Sequence, residues 1–260
     1  MEEGGSTMTN KVLVKQEGEL SWIQLNRPEK RNAIDEEVIS ELLVALEIVT
    51  NDESKVVVVT GSGSEAFCSG GDLSVFHRLR TEAQAKEMLE KMGRVLLDLF
   101  YLPKLTVAAL NGTAVGGGAE IATACDFRLA ASHAKLGFLQ GGLGITTGWG
   151  GASFLHERIG TPLSQEMLMS GQMYKSEDAK AKGFLQEIIA DDKTFKAGIV
   201  EWLKPYTNKD LEVLKAYKRR SLDRIPRNCM ERRVANEIAE CAVLWEREEH
   251  HQAVDRFLQK

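Results

Sequence analysis

The sequence has few cysteines, and their spacing suits neither a metal site nor a redox motif. The four cysteines are spread along the 260 residues, at Cys68, Cys125, Cys229 and Cys241. No pair has the C-x-x-C spacing of a redox motif or of a zinc ligand set. Scattered thiols in a chain of this size indicate a reducing compartment. We therefore predict no bound metal and a cytoplasmic location.

Long apolar runs and an excess of positive charge are also absent. No apolar run approaches the length of a membrane span, and Met1–Asn10 is polar and acidic, without the apolar segment of a signal peptide. Met8 would serve as an alternative start. The formal net charge is −5, which argues against a nucleic-acid backbone as the main partner. A short basic run such as Lys218–Arg220 is interpreted as solvated or as lying at a subunit contact.

Nucleotide-binding and hydrolase motifs are missing as well. The chain has neither the G-x-x-x-x-G-K-[ST] pattern of a P-loop nor the G-x-S-x-G pattern of a nucleophile elbow. Gly61–Ala66 fits G-x-G-x-x-A, but a second glycine turn follows it where a dinucleotide-binding fold needs a helix. We interpret this match as chance, and the adjacent His250 and His251 as a solvated pair on an exposed helix.

Strands and helices alternate along the first part of the chain. Glycine-rich turns stand at strand ends, a pattern that predicts an α/β fold with repeated right-handed crossovers. The predicted strands are Val12–Lys15, Trp22–Leu25, Val56–Thr60, Leu105–Leu110 and Phe127–Ala130, and the predicted helices are Asp35–Thr50, a polar helix at Glu82–Tyr101, and Gly117–Cys125.

From about Ser176 the chain is predicted to form one helix after another, interrupted by a strand-like run at Gly183–Ala190. The last helix aligns an apolar stripe of Val234, Ile238, Cys241 and Trp245. This helical end could pack on the body of the chain or on a neighbouring subunit.

One glycine-rich turn, Asn111–Glu120, lies between a buried strand and a helix. Its three consecutive glycines let a ligand approach the backbone and leave N–H groups free, and the helix start favours a developing anion. Glu120 follows Gly117 by three residues and lies on the same side of the helix. The alternative is that the glycines only allow tight packing and that Glu120 is a solvated surface acid.

Two other glycine-rich segments accompany this turn. Phe67–Leu73 follows a strand and contains a glycine pair, so that an N–H from each of two turns could converge on one oxygen as an oxyanion hole. We interpret Asp72 as a helix N-cap. The third segment, Leu136–Gly144, leads to Gly148–Gly151, and its apolar residues make a solvated loop unfavourable.

Together these segments resemble the crotonase superfamily, the enoyl-CoA hydratase/isomerase family, over nearly the whole chain. Asn26–Ala33 is similar to the CoA-binding turn of the family. The Phe67–Leu73 turn resembles the turn of the family that provides the first oxyanion donor, which would be the Gly71 N–H here. The Asn111–Glu120 turn resembles the one that provides the second donor, which would be the Gly117 N–H.

The resemblance implies an α/β fold of the crotonase (ClpP-like) type. Residues 8–190 would form a spiral of βββα turns, and residues 191–260 a helical trimerisation region. Such enzymes are homotrimers or hexamers that need no metal and no redox cofactor, because coenzyme A enters as part of the acyl-CoA substrate. No membrane or nucleic-acid partner is expected.

The resemblance also implies where coenzyme A would lie. Its adenine and phosphates would contact the turn that contains Lys30, Arg31 and Ala33. Asp72 and Leu73 would lie beside the pantetheine arm.

The chain departs from the hydratases of the family at Gln140. Those enzymes use two glutamates to activate and protonate one water; Glu120 matches the first, and Gln140 stands where the second should be. Glutamine has no ionisable group and cannot act as a general acid or base near neutral pH. It can still orient a water or a substrate carbonyl.

A site with one carboxylate suits double-bond isomerisation, decarboxylation of a malonyl-type thioester, or hydration at reduced efficiency. Gly118–Arg128 and Gly148–Gly151 are most similar to the methylmalonyl/ethylmalonyl-CoA decarboxylase-like branch. We predict an enzyme of the hydratase/isomerase family with Glu120 as its single acid/base. A malonyl-type decarboxylase is the alternative, and a non-catalytic acyl-CoA-binding protein is a further one.

Overall fold

The computed structural model describes residues 11–191 and 194–259. Met8 and the rest of the first ten residues lie outside the described residues, and so do residues 192, 193 and 260. The strands are β1 (Val12–Glu17), β2 (Leu20–Leu25), β3 (Val56–Gly61), β4 (Ala66–Cys68), β5 (Leu105–Leu110), β6 (Thr113–Val115), β7 (Phe127–Ala131), β8 (Lys135–Gly137), β9 (Tyr174–Lys175) and β10 (Glu187–Ile189).

The α-helices lie between the strands in the first part of the chain and follow one another after β10. They are α1 (Glu36–Asn51), α2 (Leu73–Phe76), α3 (Glu82–Phe100), α4 (Gly117–Ala124), α5 (Gly151–Ile159), α6 (Thr161–Ser170), α7 (Ser176–Ala181), α8 (Phe195–Thr207), α9 (Leu211–Leu222), α10 (Arg227–Trp245) and α11 (Glu248–Leu258). Short 3-10 helices occur at Pro28–Lys30 and Gln140–Leu143.

The larger sheet has the strand order β1-β2-β3-β5-β7-β10. β1 and β2 form an antiparallel hairpin, and the other neighbours are parallel. Val56, Val57, Val58 and Val59 of β3 are all buried, as expected for a parallel strand that is covered on both faces. The predicted strands that begin at Val56, Leu105 and Phe127 are confirmed.

A smaller sheet, with the order β4-β6-β8-β9, was not predicted. Its strands have at most three residues, too few to show an alternating pattern in the sequence. β4, β6 and β8 follow β3, β5 and β7 respectively, so that each pass of the chain leaves one strand in each sheet. The chain therefore winds as a spiral, with helices between successive passes.

Side-chain amides hold successive passes of this spiral together. Asn111, just after β5, accepts a hydrogen bond from the Gly61 N–H at 2.9 Å and donates one to the Ala66 carbonyl at 3.1 Å. Asn32 donates to the same Ala66 carbonyl at 2.8 Å. These bonds satisfy buried backbone groups where strands end, and they fix the glycine turns that follow.

The helix α3 differs from its prediction, because it is not polar throughout. One face is buried and packs against α1 and α10, with Met88, Leu89 and Met92 in the core. The predicted apolar stripe of α10 is confirmed on the other side of this contact, since its four residues are buried. The C-terminal helices α10 and α11 thus pack on the body of the same chain. The division of the chain into a spiral core (residues 8–190) and a trimerisation region (residues 191–260) stays a prediction.

Three residues that were interpreted as solvated are buried. Lys218 forms an ion pair with Asp126 at 2.7 Å, and its burial reflects the packing of α9 against β5. His250 and His251 are 1% and 8% exposed, because α11 folds back onto the 3-10 helix at residues 140–143.

Across residues 11–191 and 194–259, no helix combines the length and the apolar character needed to cross a bilayer.

We expect Gly118→Ala to destabilise the protein, because a methyl group there would lie 2.0 Å from the Cys68 carbonyl oxygen and push α4 away from β4. Overpacking of this kind costs about 1–3 kcal/mol in the free energy of unfolding, which urea titration measures. Gly141→Ala is the matched control, since an added methyl group there meets no atom within 4 Å. Equal stability of the two variants would contradict the tight contact between α4 and β4.

Candidate active site

The two predicted donor turns are in direct backbone contact. A methyl group on Gly70 would lie 3.0 Å from the Gly117 nitrogen, so the turn after β4 lies against the start of α4. Gly70 also has a φ of +92°, a left-handed conformation that other residues rarely adopt. Glycine at this position therefore allows the turn of Gly71 to approach the turn of Gly117.

Gly71 and Gly117 line one cavity, and their N–H groups have no acceptor among the described residues. The Ile34 N–H donates to the Gly70 carbonyl and the Asp72 N–H donates to the Ile34 carbonyl, each at 2.8 Å. In such a parallel bridge the N–H of the middle residue, Gly71, faces the opposite side. Within the described residues, neither the Gly71 nor the Gly117 N–H has a protein acceptor, and both glycines line a cavity of about 320 Å³.

Glu120 lies beside these donors and is 2% exposed, so its interpretation as a solvated surface acid is wrong. One carboxyl oxygen, Oε1, accepts a hydrogen bond from Gln140 Nε2 at 2.8 Å. The other, Oε2, accepts from the backbone N–H groups of Trp149 and Gly151, each at 2.9 Å. The start of α5 therefore holds the carboxyl group of Glu120 in one orientation.

The surroundings of Glu120 favour its acid form. Burial raises the pKa of the Glu120 carboxyl above its ordinary value, and the nearby carboxylate of Glu237 raises it further. The N–H donors of Trp149, Gly151 and Gln140 oppose this rise, because they stabilise the ionised form. The net effect of these influences is a raised pKa and a carboxyl group that holds its proton unusually well.

Glu237, a residue of α10, was not predicted to belong to the site. It is buried, and its carboxyl oxygens accept hydrogen bonds from Thr147 Oγ1 at 2.6 Å and from the Ser153 N–H at 2.9 Å. The sequence did contain a signal. Glu237 lies next to Ile238 and three residues after Val234, so it falls within the apolar face of its helix, where an acid without a partner is costly.

Gln140 lies where the resemblance placed it, next to Glu120. Its Nε2 donates to Glu120, while its Oε1 is buried without a hydrogen-bond partner in the described residues. An unpaired buried acceptor of this kind costs about 1–3 kcal/mol. Gln140 can orient the carboxyl group of Glu120, but it cannot itself transfer a proton.

The rest of the cavity wall is mostly apolar. The apolar lining residues come from several helices and loops and include Leu73, Phe76, Met88, Leu89, Leu139, Leu143, Ile145, Trp149, Trp245 and Phe257. Among the described residues that line the cavity, Glu120 and Cys241 alone are ionisable. Burial raises the pKa of the Cys241 thiol to about 12, which keeps it neutral. Among the described residues, the wall of the cavity thus combines apolar side chains with one acid and no cation.

The indole of Trp149 forms the wall beside Gly71 and Gly117. A methyl group on Gly117 would lie 1.9 Å from Cζ3 of the indole, and one on Gly71 would lie 3.7 Å from Cζ2. The ring therefore lies against the Gly117 backbone and excludes a larger residue there. Trp149 contributes twice to the site, with its ring as a wall and with its N–H as a donor to Glu120.

The residues predicted to bind coenzyme A lie around the Gly71 turn. Lys30 and Arg31 are exposed, and the bridge between Ile34 and Gly71 places their turn near Gly71. Ala33 is buried.

Asp72 and Leu73 directly follow Gly71 in the chain. Asp72 accepts from the Ser74 N–H at 3.1 Å, which confirms its interpretation as an N-cap. Leu73 lines the cavity. Coenzyme A binding by this set of residues stays a prediction.

In the described part of the chain, no cluster of three or more histidine, cysteine or acidic side chains could hold a metal ion.

Comparison with known proteins gives matches over most of the chain. The family model described as enoyl-CoA hydratase/isomerase matches residues 15–260. The short-chain-enoyl-CoA hydratase of Clostridium acetobutylicum is 32% identical over 181 residues, which are 69% of this chain and 69% of the hydratase. The ethylmalonyl-CoA decarboxylase of Mus musculus is 31% identical over 210 residues, 80% of this chain and 65% of the decarboxylase.

A solved structure agrees with the architecture. The crystal structure of an enoyl-CoA hydratase from Bacillus halodurans superposes with a TM-score of 0.87 at 25% identity, covering 95% of this chain and 100% of that chain. The similar proteins therefore include both hydratases and a decarboxylase.

The raised pKa of Glu120 predicts how stability depends on pH. A group whose pKa is higher in the folded state contributes stability below its unfolded pKa, and this contribution is lost as pH rises through the folded pKa. We expect Glu120→Gln, which does not titrate, to gain thermal stability relative to the wild type as pH rises from about 5 to 9. Glu177→Gln, which removes an exposed carboxyl group, should stay parallel to the wild type. A constant difference between Glu120→Gln and the wild type across this range would contradict the raised pKa.

Proposed function

The chain belongs to the enoyl-CoA hydratase/isomerase family, and from this membership we propose that it converts an acyl-CoA thioester through an enolate whose oxygen is bound by the N–H groups of Gly71 and Gly117. The crotonase fold predicted from the sequence is confirmed by the structural match. In this proposal Glu120 is the only side chain that transfers a proton. The observation that supports it is the position of one buried carboxyl group beside two unpaired backbone donors in one cavity.

The two backbone donors supply the main stabilisation. An enolate places negative charge on the thioester oxygen, and fixed N–H dipoles in a site with little water stabilise that charge without reorganisation. Loss of one such donor typically costs about 3 kcal/mol in the barrier. The helix α4 begins at Gly117, so its positive end adds to the field at the same oxygen.

Among the reactions open to such a site, decarboxylation of a malonyl-type thioester has the strongest support. The bond between the α-carbon and the carboxylate breaks, carbon dioxide leaves, and the electron pair forms the enolate. The acid form of Glu120 then gives its proton to the α-carbon and regains one from solvent. No base is required, which suits a carboxyl group with a raised pKa. The wall without a cation favours loss of a substrate carboxylate, since an unpaired buried charge is costly.

Isomerisation of an enoyl-CoA is the second candidate, and a specific observation supports it. Isomerisation requires Glu120 as a base, and the N–H donors of Gln140, Trp149 and Gly151 all stabilise its ionised form. Hydration has less support, because the second carboxylate that would activate water is replaced by Gln140. A non-catalytic acyl-CoA-binding protein would need neither the acid nor the paired donors.

Coenzyme A would lie along the surface beside the Gly71 turn. The exposed cations of Lys30 and Arg31 suit its phosphates, while Ala33, Asp72 and Leu73 would border the adenine and the pantetheine arm. The homotrimer or hexamer implied by the family remains a proposal.

Glu120→Gln should abolish turnover and leave acyl-CoA binding nearly intact. The amide has almost the same shape but supplies no proton, and loss of a general acid typically lowers the rate about 10²–10⁴-fold. Products from malonyl-type and short enoyl-CoA substrates are identified by mass spectrometry, and binding is measured by calorimetry. Glu177→Gln is the matched control and should retain wild-type turnover.

The same assay separates the candidate reactions. Carbon dioxide and the saturated acyl-CoA from a malonyl-type substrate would support decarboxylation, and a shifted double bond would support isomerisation. Equal loss of turnover and binding in Glu120→Gln would contradict the assigned role of Glu120.

Gln140→Glu should raise hydration of crotonyl-CoA. It restores a second carboxylate that can activate water beside Glu120, and a placed general base contributes about 10²-fold or more. Gln140→Leu removes the amide without adding an acid and should show no gain. If both variants hydrate crotonyl-CoA no faster than the wild type, the interpretation of residue 140 as the missing base is wrong.

A further inference from the structure

The start of α5 binds two buried carboxyl groups from two different helices. The Gly151 N–H donates to Glu120 of α4 at 2.9 Å. The next two N–H groups, those of Ala152 and Ser153, donate to Glu237 of α10 at 3.2 Å and 2.9 Å. Because consecutive amides at a helix start lie close together, the two carboxyl groups are near neighbours in the interior.

Two like charges that lie close together in a buried site do not both ionise easily, so ionisation of one carboxyl group favours the acid form of the other. The hydrogen bonds indicate which member keeps the charge. Glu237 accepts from the hydroxyl groups of Thr147 and Ser153 in addition to the two backbone donors. Glu120 accepts from three donors. Glu120 lines the cavity, and Glu237 is not one of the lining residues. Burial raises the pKa of Glu237 as well, but the hydrogen bonds from Thr147, Ser153 and Ala152 oppose that rise. Because Glu237 has more donors than Glu120, it is better placed to be the ionised member.

We propose that Glu237 is a positioning residue that keeps Glu120 in its acid form. It acts through Glu120 and touches neither the cavity nor a bound acyl group. Its charge repels a second charge on Glu120, and its hydrogen bonds to Thr147, Ala152 and Ser153 fix the segment whose N–H groups orient the Glu120 carboxyl. The C-terminal helix α10 would thus set the charge of the acid on which turnover depends.

Other titratable groups near the pair leave this assignment intact. Cys241, on the same face of α10, is a neutral thiol, because burial raises its pKa to about 12. Arg233 donates to the Ser153 carbonyl at 2.9 Å, but its charge is paired with Glu157 at 2.6 Å. His156, further along α5, binds the Ser164 hydroxyl, and burial lowers its pKa. The helix α3 contributes apolar residues, such as Leu89, to this contact.

Infrared titration of the full chain tests this inference. The carbonyl band of protonated Glu120 is assigned by its loss in Glu120→Gln and is followed with pH in the wild type and in Glu237→Gln. We expect the band to disappear at a pH lower by about one unit or more in Glu237→Gln, because a coupled charge has been removed. The alkaline limb of kcat should shift by the same amount, with KM unchanged.

Two further variants extend the test. Glu237→Asp keeps the charge and should restore a titration close to that of the wild type. Thr147→Val keeps both carboxyl groups but removes a donor from Glu237, so the Glu120 band should shift in the same direction as in Glu237→Gln, by less. Loss of stability and of kcat at every pH, with an unshifted band, would show that Glu237 is only structural and would overturn the inference.

This inference rests on the proposed role of Glu120 as the proton donor, but the two can fail separately. The infrared band reports the charge of Glu120 whether or not any acyl-CoA is converted. A shifted band in a protein without turnover on any acyl-CoA would contradict the proposed function alone. An unshifted band in an active enzyme would contradict only the inference about Glu237.

Discussion

The site depends on one physical constraint, which is that Glu120 is buried with no cation beside it among the described residues that line the cavity. A carboxyl group in such a place needs hydrogen-bond donors or a proton, and here burial raises its pKa while three donors bind its oxygens. The donors are the N–H groups of Trp149 and Gly151 at the start of α5 and the amide of Gln140. Because all three donors lie between β8 and the first residue of α5, this one stretch of chain has to fold back over α4. The same folding places the indole of Trp149 against Gly117 and closes one wall of the cavity.

The close approach of two backbone turns is the second requirement. The contact between α4 and β4 leaves no room for side chains at Gly118, and the contact between the turns constrains Gly70. This contact belongs to the spiral itself, because each turn follows a short strand of the smaller sheet. The fold therefore positions two N–H groups by main-chain packing, a more rigid means than side-chain placement. Glu120, one turn further along α4, is positioned by the same packing.

The longer elements and the placement of Glu120 beside Gln140 could be predicted from the sequence, whereas the strands of the smaller sheet and the backbone donors to Glu120 could not. Strands such as β3 and β5 contain unbroken apolar runs, and α1 begins at a recognisable cap, Asp35. The smaller sheet was missed because three residues do not show a period. Gly71, Gly117, Glu120 and Gln140 were named from their glycine-rich turns and from the family resemblance, and their roles stay predictions. The apolar face of α10 contained a signal for the burial of Glu237, whereas the burial of His250 on α11 depends on contacts between distant segments that no local pattern shows.

The helix α11 has a further consequence for the cavity. His250 donates from Nδ1 to the Leu143 carbonyl at 2.7 Å, and Leu143 and Phe257 both line the cavity. The helix α10 contributes Cys241 and Trp245 to the same wall. A chain cut before α10 would still contain Gly71, Gly117 and Glu120, but the side of the cavity that α10 and α11 cover would be open to water.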